Sequence, residues 1–183
     1  MVDPDITENI IRPIAKEMDS RMNLFTQIYC AIKGYKLIPD AALSRAKLSK
    51  VDLKWIILSS ATLIEADLEG ADMSCAYLQG ANLSYANLKM ANINGANLHR
   101  ANLAKADLSG ADLEGASLIR AHLMGANLQS ANLSKSYLLG ANLQSADLTG
   151  ANLTEINLDG AKYDKHTRWP DGFDPDVLGA ILV

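Results

Sequence analysis

The chain has 183 residues, is 49% hydrophobic and carries a net charge of −4. That suits one domain with its end segments, and excludes both a polybasic nucleic-acid binder and a strongly acidic rod. No run approaches the roughly 18 uninterrupted apolar residues of a membrane-spanning helix.

In chain order, Met1-Val2-Asp3-Pro4-Asp5 places acids where a secretory leader carries bases, so a cytoplasmic location is expected. Residues 14–33 then read as an amphipathic helix. Ile14, Met18, Met22, Phe25, Ile28 or Tyr29, and Ile32 recur at three- and four-residue spacing, with Pro13 suited to a first turn and Gly34 to a stop. The expectation for residues 1–40 is a helical cap over the start of the following domain, with a dimerising helix as the sharper alternative.

From Ala41 to Lys165 a five-residue unit repeats in one frame, as in Ala81-Asn82-Leu83-Ser84-Tyr85 and Ala141-Asn142-Leu143-Gln144-Ser145. The first position is Ala except at Val51, Ile56, Ser136 and Ile156, and the third is Leu except at Met73, Ile93 and Tyr163. A helix would rotate such a Leu column by about 140° per block, and a flat strand would lose phase at every odd-length block. A short extended segment, a corner and another short segment fit. Gly at many fifth positions, such as Gly70, Gly95 and Gly125, suits a corner that needs positive φ. Fixed periods of this kind build solenoids, whose units bury their apolar face only by stacking.

The blocks resemble the pentapeptide-repeat family, whose unit is a small residue, Asn or Asp, Leu or Phe, and two variable positions. The resemblance implies an all-β solenoid: a right-handed quadrilateral β-helix with four blocks, or 20 residues, per coil. About six coils at about 4.8 Å per rung give a rod roughly 30 Å long. The segment Tyr163-Asp164-Lys165-His166-Thr167-Arg168-Trp169-Pro170-Asp171-Gly172-Phe173-Asp174-Pro175 is similar to an ending found in cyanobacterial members. In residues 166–183, Trp169, Phe173, Leu178, Ile181, Leu182 and Val183 read as a second cap, with a homodimer contact of the kind that the family forms end to end as the alternative.

No chemistry is expected. On a four-sided coil His99 and His122 fall on different walls and coils, so neither a metal site nor a proton relay is predicted, and no cofactor is implied. Cys30 and Cys75 form no CxxC or metal spacing and read as free thiols in a reducing compartment. Asn and Asp recur at so many second positions that their role must be structural, through local hydrogen bonds and ladders. A Leu-filled interior leaves no enzyme-sized pocket. The chain reads as a non-enzyme.

Residues 20 apart stack on one wall, and one wall departs from the polar pattern. It carries Tyr77, His99, Arg100, Ile119, Arg120, Tyr137 and Leu139, with no acid before Asp159. Tyr and Arg are enriched at binding hot spots, so these seven form the candidate protein-binding face. The leading expectation is a protein–protein interaction module that binds neither nucleic acid nor membrane. The alternative implied by the family is a DNA-mimicking modulator of gyrase or topoisomerase, which needs strong negative potential along the rod. Residues 41–165 hold 11 basic and 12 acidic side chains, a net of only −1. Ice binding would need an outward Thr array, which Thr62, Thr149 and Thr154 do not make.

Overall fold

The structure is a computed structural model that describes residues 42–183. The helical cap expected for residues 1–40 lies outside the described residues.

One block shows how five residues make one side of a coil. Ala81 and Leu83 turn inward and are wholly buried. Between them, the Asn82 N–H donates to Ala61 O on the preceding coil (2.8 Å), and the Leu83 N–H donates to Asn102 O on the next (2.7 Å). The Ala86 N–H then donates to Leu83 O (3.1 Å), closing a turn at Ser84-Tyr85 that redirects the chain into the next side. Asn82 Oδ1 accepts the Ser84 N–H (3.1 Å) and the Ser84 hydroxyl (2.8 Å), so the second-position amide braces its own corner.

Repetition of this block stacks residues 20 apart as parallel bridges. Four walls result. The first runs through Ala42, Thr62, Asn82, Asn102, His122, Asn142 and Lys162; the second through Lys47, Asp67, Asn87, Asp107, Asn127 and Asp147; the third through Asp52, Asp72, Asn92, Asp112, Asn132 and Asn152; the fourth through Ile57, Tyr77, Asn97, Ser117, Tyr137 and Asn157. A corner follows so soon after each bridged residue that these sides do not lengthen into strands. The inner columns of Ala and Leu form one continuous core from Leu43 to Ala161. Ser136, at an Ala position, is fully buried and donates its hydroxyl to Leu133 O (2.6 Å).

The corner makes a demand that the glycines only partly reveal. Every fifth position from Arg45 to Gly160 has φ between 56° and 70°, whether or not it is Gly. A side chain there costs about 1–2 kcal/mol. None of the occupants is β-branched, although Ile64, Ile119, Thr149 and Thr154 occur one residue earlier.

The last coil departs from the period. Strand β1 (Lys162–Tyr163) pairs in parallel with β2 (Ile181–Leu182), and a one-turn 3-10 helix at Asp176–Leu178 lies between them in sequence. Asp147 bridges to Arg168, which is 168 − 147 = 21 residues on, so this side holds one extra residue. Asp164 absorbs it: its carboxylate accepts the Ser145 N–H (2.9 Å) that a backbone carbonyl would otherwise take, together with the His166 N–H (2.9 Å). Of the apolar tail residues, Trp169 and Phe173 pack against the core, stacked on each other at 5.3 Å, with Tyr163 edge-on to Trp169. Leu178, Ile181, Leu182 and Val183 stay 39–62% exposed.

Candidate protein-binding wall

The coil geometry brings the seven candidate residues onto the fourth wall. Tyr77 and Tyr137 are bridged second positions at either end of the run Tyr77-Asn97-Ser117-Tyr137, so three rungs, roughly 14 Å, separate them. Both are about half exposed, at 47% and 52%, because their outward position is fixed by the inward Ala or Ser before and Leu after. Arg100 and Arg120 occupy consecutive left-handed corners (φ 57° and 56°) and are exposed. Their N–H groups donate to Ile119 O and Leu139 O, both at 2.9 Å, which locks each corner to the turn below. Gly140 follows Arg120 in the corner column, and a Cβ there would lie 3.6 Å from Arg120 Cγ, so the arginine stem runs along the wall. Leu139 is exposed, while His99 and Ile119 are half-buried.

Electrostatics sets this wall apart. Arg45 pairs with Glu65 (2.7 Å), Lys54 with Asp72 (3.3 Å), Lys135 with Glu114 (2.8 Å) and Arg168 with Asp147 (3.5 Å). Among the described residues, Arg100 and Arg120 are the arginines without a carboxylate partner. The second and third walls hold their acids in ladders: Asn87, Asn127, Asn92 and Asn132 donate side-chain amides to Asp67, Asp107, Asp72 and Asp112 at 2.9–3.2 Å. Burial pushes the Asp72 carboxyl up, but hydrogen bonds from Ser74 and Lys54 outweigh it and hold the group below its ordinary value. Asp147 is held low in the same way, by Thr149, Gln129 and Arg168 against its burial.

Other exposed apolar side chains escaped the sequence reading. Trp55 (65%), Met90 (63%) and Tyr85 (55%) sit at fifth positions on other walls, and Met124 (47%) at a fourth position. Their signal was a corner that points outward whatever residue fills it. Tyr85 is covered in part by Lys105, whose Nζ lies 5.4 Å from the ring centre. Among the described residues no group of His, Cys, Asp and Glu could hold a metal ion, and no helix is long and apolar enough to cross a membrane.

The family model of pentapeptide repeats matches eight copies spread over residues 40–74, 63–100, 101–138 and 121–160. The comparison with curated proteins finds no match. Among solved structures, the pentapeptide-repeat protein Rfr23 from the cyanobacterium Cyanothece 51142 is 43% identical over 56% of this chain and 63% of its own (TM-score 0.38), so this chain spans less than two thirds of it. The pentapeptide-repeat protein alr5209 from Nostoc PCC 7120 is 31% identical over 86% of this chain and 93% of its own (TM-score 0.44). QnrB1, a plasmid-mediated fluoroquinolone resistance protein, is 16% identical over 81% of this chain and 88% of its own (TM-score 0.54), a likeness of fold. The repeat frame, the four stacked walls and these matches identify the chain as a member of the pentapeptide-repeat family, with that family's right-handed β-helical solenoid.

Proposed function

We propose that the protein is a non-enzymatic interaction module whose fourth wall binds an acidic surface of another protein. The observation that carries this reading is the pair of unpaired guanidiniums, Arg100 and Arg120, one rung apart on a wall flanked by exposed Tyr77 and Tyr137. Each Arg offers a planar fork to a carboxylate, and each Tyr offers a large rigid contact at low entropic cost. The rod fixes their spacing in advance, which lowers the ordering cost of binding. The test is affinity capture from the source cell's lysate with wild type and with the variant Tyr77→Ala/Arg100→Ala/Arg120→Ala/Tyr137→Ala. A specific protein lost with the variant, at unchanged melting temperature, is the expected result; the same set captured by both sinks the assignment.

A gyrase-directed role is the second reading, favoured by the fold shared with QnrB1. Against it stands the charge pattern. The second wall alternates Asp and Asn down the rod, so the negative potential is diluted at every other rung. A supercoiling assay across a titration of the protein decides, and potent inhibition would restore this reading. We further assign residues 1–40 and 166–183 as end caps and place the protein in the cytoplasm. The exposed Val177, Leu178, Ile181, Leu182 and Val183 make the C-terminal end the candidate contact for a homodimer.

A further inference from the structure

The last coil pairs on the first and second walls, through Ile181 and Arg168, but not on the third. There the ladder ends at Asn152. The reason is covalent as well as geometric: the chain turns away at Pro170-Asp171-Gly172-Phe173, a β-turn closed by the Phe173 N–H to Pro170 O (3.1 Å), with Gly172 at φ 73°. Pro170 and Pro175, moreover, have no N–H to give to a ladder.

The missing rung leaves specific groups open. One rung earlier, Asn152 donates its N–H to Ala131 O (2.9 Å) and accepts from the Leu133 N–H (2.9 Å), while Thr154 O accepts from the Lys135 N–H (2.9 Å). The equivalent Ala151 C=O, Leu153 N–H and Glu155 N–H have no hydrogen-bond partner among the described residues. Between this edge and the Pro170–Phe173 turn lies a notch of about 420 Å³ lined by Ala151, Asn152, Leu153, Thr154, Asp171 and Phe173, with Pro170 and Gly172 at the turn. Burial records the same gap independently: Ala151 (8%) and Leu153 (9%) are the most exposed members of the core. Trp169, stacked on Phe173, has a buried indole Nε1 without a partner.

We propose that this notch is a binding site for an extended, basic segment of a partner protein, which adds the missing rung to the third wall. One residue of that segment donates its N–H to Ala151 O and accepts from the Leu153 N–H, and the carbonyl two residues on accepts from the Glu155 N–H, as Asn152 and Thr154 do one coil earlier. A small apolar side chain at the next position fills the space over Leu153 beside Phe173. The charge of the occupant follows from its surroundings: Asp171 lines the notch, Glu155 follows Thr154 at its edge, and Asp159, Asp174 and Asp176 are exposed in the same last stretch of the chain, whereas Arg168 is tied to Asp147. The site is separate from the Tyr77–Tyr137 wall, and the two can fail independently.

The test uses the isotope-labelled full chain titrated with three acetylated, amidated hexapeptides rich in Val, Thr and Ala, one doubly positive, one neutral and one doubly negative. The doubly positive peptide should shift the Leu153 and Glu155 amide signals and slow their hydrogen exchange by several-fold to about tenfold, as one added backbone hydrogen bond does. Thr154→Trp, which fills the notch from an exposed position, should abolish the shift. Glu155→Lys/Asp171→Lys should abolish it and favour the doubly negative peptide, with the melting temperature unchanged in both variants. Unperturbed Leu153 and Glu155 amides at millimolar peptide, or equal responses to peptides of either charge, overturn the proposal. Protection of these amides on concentrating the protein without peptide also overturns it, by assigning the notch to a second copy of the chain.

Discussion

At the level of single residues, polar side chains do structural work that backbone does elsewhere. Second-position Asn and Asp each hold the N–H two residues ahead, so the corners that follow them carry their own brace. On the second wall the order Asp67, Asn87, Asp107, Asn127, Asp147 puts a neutral donor between successive carboxylates. Adjacent carboxylates at about 4.8 Å would repel by roughly 1–3 kcal/mol, and the intervening amide converts that repulsion into a hydrogen bond. Asp164 is the extreme case. Burial raises its carboxyl, but the Ser145 N–H and hydroxyl, the His166 N–H and the Thr167 hydroxyl outweigh this and bring it down to about 2 from an ordinary 3.8. A depressed carboxylate stabilises the fold above its unfolded value and loses that contribution as pH falls through the folded one. Asp164→Asn should therefore lower the melting temperature by a constant amount above about pH 5, and the gap to wild type should close between about pH 4 and pH 2. Thermal unfolding across that range checks it; a gap that persists at pH 2 shows that the carboxylate's charge is not what holds the turn.

At the level of the block, the corner imposes the strongest backbone constraint in the fold. Wall by wall, a Gly at the fifth position tends to follow a side chain in the same column: Lys50 before Gly70, Met90 before Gly110, Lys105 before Gly125 and Arg120 before Gly140. Gly thus supplies positive φ and also the room for the side chain arriving from the previous rung. The two roles separate experimentally. A Cβ at Gly115 meets nothing within 4 Å, whereas one at Gly110 would lie 2.5 Å from Met90 Sδ. Gly115→Ala should cost about 1 kcal/mol from backbone strain alone. Gly110→Ala should cost more in urea unfolding, and Met90→Ala should erase the difference; a residual gap would place the conflict elsewhere. The period made a solenoid legible, and the family resemblance supplied four blocks per coil, from which the stacking of residues 20 apart follows. The corner was read through its glycines, although the more complete signal was the absence of Val, Ile and Thr from every fifth position. The slip between Asp147 and Arg168 was not legible, since it depends on a carboxylate standing in for a carbonyl.

For the whole molecule, a solenoid separates stability from recognition: the inner columns hold the rod, and the walls vary freely. Tyr77, Arg100, Arg120 and Tyr137 could be placed on one wall from the repeat because outward position follows from block position. The partial burial of His99 and Ile119 could not, since the repeat sets a residue's place on a wall and not how far its neighbours cover it. The ends of the rod are where stability and recognition meet, and the tail divides them between different residues. Trp169 and Phe173 lie against the core, while Val177 (77% exposed) and Leu182 (62%) face away from it. Trp169→Ala/Phe173→Ala removes packed aromatic area and should cost about 2–4 kcal/mol, less than for fully buried rings because both are only half-buried. Val177→Ser/Leu182→Ser removes no core contact, so its urea midpoint should match wild type at low protein concentration. If the end joins two copies, sedimentation should show that second variant shifting from dimer to monomer, because Leu182 lies on β2, the last strand of the rod. A wild type that is monomeric at every concentration removes the homodimer contact and leaves the tail as a cap alone. Loss of stability in both variants would mean that the exposed residues brace the cap, contrary to the division drawn here.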